Sequence, residues 1–281
     1  MSLDLFKKIV DDMKAFPKKI RVVHLHMFGE PLLNPDFCKM VRYLKDSNVC
    51  NEIRTFTNGS MLTPELNQAL VDSGLDYIRI SVESLYEDDY ANMCKYKMNL
   101  EKFIDNIRDL YDRSRGTGLR VGVKIVDGTL RTIEDVNRFF ETYANISDYH
   151  YTEKMADRWV NFEVPDAAKA YVSFDTYVKE ESQSQHLCAK SFFIMCVCAN
   201  GEVTSCSTDW QHKLVLGDVA VSSLKEIWNS EGWKEFQRKQ LRGDCISVCH
   251  DCKYWISENL EPYRNELLDR LEDEKCNMAQ L

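Results

Sequence analysis

Seven of the 11 cysteines lie between Cys188 and Cys252, so the chemistry peculiar to this sequence starts there. Read as ligands, Cys188 and Cys206 bracket a hairpin-like stretch, and Cys249 and Cys252 form a CxxC. Two thiolates two residues apart can face one centre from a tight turn, and a hairpin returns the chain so that a second pair closes the set. Such a set suits a four-cysteine zinc or an iron–sulfur cluster, since both take thiolates. The odd total excludes complete pairing within the chain, and clustered thiols in a reducing compartment more often mean metal than disulfides. Cys38, Cys50, Cys94, Cys196 and Cys198 read as small buried hydrophobes, and Cys245 as a neighbour of the ligand set.

A second group is spread through the first half. Gly29-Glu30-Pro31, Thr57-Asn58-Gly59, Ser81-Val82-Glu83 and Lys124 each end a β-rich run. Parallel α/β folds gather their sites at the C-terminal ends of strands. A glycine before a glutamate lets backbone approach a ligand while the carboxylate accepts from an ammonium group. Singly these are turns and surface carboxylates; in this order, each after a strand, they are far more specific. His24 and His26 share a strand face and read as core or supporting histidines rather than a metal pair. Trp159, Trp228 and Trp233 read as packing residues, and the acidic 269–274 stretch as a solvated helix face.

The elements that must position these groups alternate regularly. Leu3, Phe6, Ile9, Val10 and Met13 have helix spacing, and β-rich runs follow at 20–27, 53–56, 77–82, 120–126 and 149–152. Helical patterns lie between them at about 35–45, 63–71, 86–94, 99–113 and 132–143. The alternation predicts parallel strands with crossover helices, as a doubly wound sheet or a (β/α) barrel. After residue 155 the rhythm breaks: 156–187 reads as a linker, Phe192–Cys198 and Glu202–Cys206 as a hairpin about Asn200-Gly201, 222–240 as a helix and 258–276 as another. Thirty-six basic against 45 acidic side chains argue against nucleic acid as a partner. The lack of a long apolar run or leader-like start predicts no membrane partner and a cytoplasmic location.

With these residues on the page, the chain resembles a radical S-adenosylmethionine (radical SAM) enzyme carrying a C-terminal SPASM-type domain, in the shortened "twitch" form of BtrN-type SAM dehydrogenases. The resemblance is carried by Met27-Phe28-Gly29-Glu30-Pro31-Leu32-Leu33, Thr57-Asn58-Gly59-Ser60-Met61-Leu62-Thr63 and Ile80-Ser81-Val82-Glu83-Ser84, then by Gly201-Glu202-Val203-Thr204-Ser205-Cys206, Leu216-Gly217-Asp218-Val219, Leu224-Lys225-Glu226-Ile227-Trp228-Asn229 and Cys249-His250-Asp251-Cys252. It implies an α/β fold: a partial (β/α)6 barrel lacking its first strand over 1–155, a bridging segment over 156–187, and a small α+β twitch/SPASM domain with a C-terminal helix over 188–281. Gly29, Glu30, Asn58, Ser81 and Glu83 would bind SAM, with Glu30 orienting it rather than acting as acid or base. Cys188, Cys206, Cys249 and Cys252 would hold one auxiliary [4Fe-4S] cluster, leaving Cys245 and Cys276 without an assigned role.

Family members hold a second [4Fe-4S] cluster in a CxxxCxxC loop after the first barrel strand. Here that string occurs only at Cys245, Cys249 and Cys252, beyond the barrel, which reads as coincidence. SAM and this second cluster are therefore expected only in a full-length chain, and a chain truly starting at Met1 would not cleave SAM; the first-helix-like start favours truncation. The resemblance implies an oxidoreductase or maturase in which a 5′-deoxyadenosyl radical takes hydrogen from a small-molecule or peptide substrate. An external one-electron reductant supplies the electron, and the auxiliary cluster accepts one. The competing expectation is a non-catalytic iron–sulfur or zinc-binding scaffold. Catalytic residues and the substrate are left unnamed.

Overall fold

The computed structural model describes residues 1–154, 187–244, 246, 248–249, 252 and 260–278. They divide between two compact units, one within 2–154 and one within 187–278. The expected bridging segment lies, apart from Leu187, outside the described residues, as do Trp159 and Cys245.

In the first unit helix α1 (Leu3–Met13) precedes strand β1 (Ile20–His24). There follow α2 (Phe37–Ser47), β2 (Cys50–Thr57), α3 (Pro64–Ser73), β3 (Tyr77–Val82), α4 (Glu87–Met93), α5 (Leu100–Ser114), β4 (Arg120–Val126), α6 (Ile133–Tyr143) and β5 (Tyr149–Glu153). All five strands are parallel and stand in sequence order, each paired with the next. That order has no reversal point, which separates a barrel wall from a doubly wound sheet. Side-chain oxygens of Ser2, Thr63, Asn99 and Thr132 accept backbone N–H bonds at the starts of α1, α3, α5 and α6, so polar residues fix where these helices begin.

The two faces of the sheet differ. Ile53, Thr55 and Thr57 of β2, Ile78, Ile80 and Val82 of β3, and Val121, Val123 and Ile125 of β4 are buried, as are Val41, Leu44, Leu70, Ile107, Leu110 and Phe139 of the helices. The alternate residues on the other face are polar or aromatic apart from Gly122 and Val126. Directly paired residues share a face, so Phe56, Arg79 and Gly122 form one row, and Ser81, Lys124 and Tyr151 a row nearer the strand ends. The Arg79 guanidinium lies 3.5 Å from the Phe56 ring centroid, and the His26 ring stacks on Phe56 at 4.0 Å. Burial pushes His26 down to about 3, which leaves its ring neutral at ordinary pH. His26 thus packs on this face, as its spacing predicted, whereas His24 is exposed and meets the His26 and Phe56 rings edge-on.

The second unit contains a three-stranded antiparallel sheet, β6 (Cys196–Val197), β7 (Glu202–Thr204) and β8 (Gly217–Asp218), followed by α7 (Leu224–Trp228), α8 (Glu231–Arg242) and α9 (Arg264–Met278). The hairpin is shorter than its sequence suggested. A 3-10 turn at Ala189–Phe192 replaces the start of its first strand, and the Thr204 hydroxyl accepts the Cys206 N–H (3.1 Å), diverting it from the ladder. The single helix expected over 222–240 is two. Ser230 interrupts it because its hydroxyl accepts the Trp233 N–H at 3.2 Å and starts α8. Trp228 and Trp233 pack with ring centroids 4.9 Å apart, and Asp269, Glu272 and Asp273 are exposed. No helix among the described residues is long and apolar enough to cross a membrane.

Candidate functional site

At the strand ends of the first unit, two of the five expected SAM-site residues, Glu30 and Asn58, are joined through one carboxylate. Gly29 has φ +83°, a left-handed conformation that favours glycine and turns the chain sharply after β1. Glu30 follows. Its Oε1 accepts from the Leu32 N–H (3.0 Å) and the Thr57 hydroxyl (2.6 Å), and its Oε2 accepts from the Asn58 N–H (2.7 Å). The carboxylate therefore ties the loop after β1 to the loop after β2. Three of its roughly four lone-pair sites are occupied, leaving room for one further donor. Asn58 is exposed, and its Oδ1 accepts the Ser60 N–H (2.9 Å), which shapes the turn.

Gly59 completes that turn at φ +71°, with its N–H donated to the Thr57 hydroxyl at 3.0 Å. A Cβ built on it would stand 2.8 Å from the Phe103 ring and 2.9 Å from Ile80 Cγ2. Gly59→Ala is therefore expected to cost about 2 to 4 kcal/mol, combining left-handed strain with overpacking. Urea denaturation would read this as a lower midpoint at unchanged slope; an unchanged midpoint would refute the packing argument.

Ser81 and Glu83 lie on the adjacent strand end. Ser81 is paired in register with Lys124, whose ammonium is 3.3 Å from Glu153. Burial raises the Glu83 carboxyl above its usual range, opposed by the positive charge of Lys124. The Glu83 backbone N–H donates to the Tyr90 hydroxyl at 3.0 Å, which fixes where the chain turns after β3. All five residues thus stand on the C-terminal ends of β1, β2 and β3, where a ligand of a parallel sheet sits.

In the second unit the four expected ligand cysteines come into electrostatic range of one another. Burial foremost pushes Cys188 up, and the neighbouring Cys206 and Cys252 raise it further. Cys249 is pushed up to about 12, again chiefly by burial, with Cys188, Cys206 and Cys252 adding to the rise. Such thiols resist becoming thiolates together unless a cation neutralises them, which is what a bound metal does. A zinc ion, with bonds of about 2.3 Å, would hold its thiolates about 4 Å apart. Among the described residues no three His, Cys, Asp or Glu side chains converge closely enough to hold a single ion.

Three features here had no distinct mark in the sequence. Thr57, a buried strand residue, links Glu30 to Gly59 through one hydroxyl. Burial chiefly, and next the neighbouring Cys206 thiol, push Cys196 up to about 12. Gln240 contacts both Cys188 and Cys249; its spacing from Trp233 and Gln237 on one helix face was the only available signal.

Comparison with known proteins agrees with the fold of the two units. The radical SAM superfamily model matches residues 1–142, and the SPASM iron–sulfur cluster-binding domain model matches residues 188–253. A tungsten-containing aldehyde ferredoxin oxidoreductase cofactor-modifying protein of Pyrococcus furiosus is 36% identical over 85 residues, 30% of this chain and 23% of that protein. A probable GTP 3′,8-cyclase of Methanocaldococcus jannaschii is 30% identical over 40% of this chain and 36% of its own length. An AdoMet-dependent heme synthase of Methanosarcina barkeri is 23% identical over 50% and 38% respectively. The matches thus span well under half of these relatives. Among solved structures, BtrN in complex with AdoMet and 2-DOIA superposes with TM-score 0.54 at 15% identity, over 90% of this chain and 80% of BtrN. Native anSMEcpe with AdoMet and a peptide gives 0.58 at 12% identity, over 100% and 92%. At these identities the likeness is one of fold: a parallel α/β barrel wall followed by a small antiparallel sheet.

Proposed function

The chain belongs to the radical SAM superfamily and carries an iron–sulfur cluster-binding SPASM domain, and on that premise we propose that it serves an oxidoreductase or maturase reaction on a small-molecule or peptide substrate. When bound, SAM and reduced iron–sulfur clusters supply a 5′-deoxyadenosyl radical for hydrogen abstraction and a place for the electron released. The residues of this chain bind and orient. Gly29 and Glu30 meet the amino end of SAM, with the free lone pair of Glu30 accepting from the ammonium. Asn58, Ser81 and Glu83 face its ribose and carboxylate. Cys188, Cys206, Cys249 and Cys252 hold an auxiliary [4Fe-4S] cluster. The observation that carries the proposal is the Gln240 side chain, which bonds both Cys188 and Cys249 and so brings together two segments that carry the expected ligand cysteines.

A second reading has its own observation. The only CxxxCxxC string in residues 1–281 is Cys245, Cys249 and Cys252, which lies beyond α8 rather than among the barrel loops. On that reading the chain is a cluster-bearing scaffold. One experiment decides between them. The full-length protein, reconstituted anaerobically, is incubated with SAM and dithionite as the one-electron reductant, and 5′-deoxyadenosine is followed by mass spectrometry. Formation above the protein-free control is the expected outcome for an enzyme. A full-length protein that binds SAM and its clusters yet releases no 5′-deoxyadenosine is a scaffold.

A further inference from the structure

Helix α8 places Trp233, Gln237 and Gln240 at i, i+4 and i+7, one face of a helix. All three are buried and all three bind the segment that carries the first ligand cysteine. The Trp233 indole N–H (3.2 Å) and the Gln237 amide (2.9 Å) both donate to the Ser191 carbonyl, and Gln240 Oε1 accepts the Cys188 N–H at 3.1 Å. Because a backbone N–H can only donate, the oxygen of Gln240 must face Cys188, and its amide nitrogen must face the other way. There Nε2 donates to Cys249 Sγ at 3.4 Å. One side chain thus spans two of the four thiols, the first from the segment preceding the hairpin and the other from the CxxC.

We propose that Gln240 is a positioning residue that raises the reduction potential of the auxiliary cluster through its N–H···S bond to Cys249. The inference rests on the ligand assignment above. A cluster gains a negative charge on reduction, and an N–H aimed at a ligand sulfur stabilises the more negative state. Gln240 is buried, so water does not replace the lost donor cheaply. The effect of Gln240 is therefore directional: it favours electron acceptance, which is the role the proposed reaction asks of this cluster.

Two variants separate anchoring from tuning. Gln240→Leu removes both bonds. Gln240→Glu keeps an oxygen for the Cys188 N–H and replaces the donor with an acceptor beside the sulfur. Iron and sulfide are quantified in each anaerobically reconstituted protein, and the reduced fraction is followed by electron paramagnetic resonance at fixed poise. Expected are about four irons and four sulfides in the wild type and in Gln240→Glu, with the reduced-to-oxidised ratio in the variant lowered threefold to tenfold, the latter being about 59 mV. A wild-type potential in Gln240→Glu overturns the proposal. Cluster loss in both variants also overturns it, since Gln240 would then hold the ligands without setting the potential. A wild-type chain that takes up neither iron nor sulfide overturns the ligand assignment, and this inference with it.

Discussion

Replacing Cys249 with alanine is expected to strip the protein of its iron and sulfide, from about four of each per chain to none, and to abolish the broad absorption near 400 nm that a [4Fe-4S] cluster gives. The magnitude follows from how the site is built. Its four thiols come from three separate stretches, around the 3-10 turn at Ala189–Phe192, the end of β7 and the CxxC, bridged among the described residues by Lys190 to Ser207 (3.3 Å) and by Gln240 to Cys188 and Cys249. Cys249 sits at the centre of that coupling, since its thiol senses Cys188, Cys206 and Cys252 alike. Metal binding and local folding are one equilibrium in such sites, so loss of a ligand costs the cluster rather than a quarter of its affinity. Removal of Cys249 also leaves the Gln240 amide without its sulfur acceptor in a buried position. Cys196→Ala is the matched control: that thiol is near Cys206 but outside the proposed ligand set, and the variant is expected to keep its iron. One colourless zinc per chain, without sulfide, would reject the cluster.

The barrel wall was legible because each of its elements carries its own signal. Ile78, Ile80 and Val82 alternate with Tyr77, Arg79 and Ser81, and a two-residue period with a buried face permits one reading. The helices announce themselves through capping hydroxyls at Ser2, Thr63 and Thr132. In the second unit the signal is local and short-range effects compete with it. The Ser230 hydroxyl splits one amphipathic pattern into α7 and α8, and the Thr204 hydroxyl ends β7 early. Strand β8 is only Gly217–Asp218, too short for any period to show. Of the site, the glycines, acids and cysteines were visible by type, whereas Thr57 and Gln240 act through partners distant in sequence. Their roles exist only once the loops after β1 and β2, or α8 and the Cys188 segment, have been brought together.

The second large effect is expected at Glu30, and it has two readouts that distinguish its parts. Glu30→Ala removes the acceptor of the Leu32 and Asn58 N–H groups and of the Thr57 hydroxyl, the last from a buried residue. Hydrogen bonds to a charged group contribute about 1.5 to 3 kcal/mol each, but exposed Asn58 finds water, so the expected loss is about 2 to 4 kcal/mol rather than the sum. SAM affinity should fall at least tenfold, about 1.4 kcal/mol, because the loops after β1 and β2 separate and the ammonium loses its acceptor. Glu30→Gln divides these contributions. Its one oxygen can serve Thr57 and Leu32, while its amide group then meets the Asn58 N–H as donor against donor. It should recover roughly half the stability and little of the SAM affinity, since an amide lacks the negative charge that an ammonium seeks. Urea denaturation and equilibrium dialysis with labelled SAM, run on both variants of the full-length protein, test the assignment. Wild-type stability in Glu30→Ala would refute the clamp between the loops. Wild-type SAM affinity in Glu30→Gln would refute the contact with the ammonium, and leave the carboxylate as a tie between two strands of the wall.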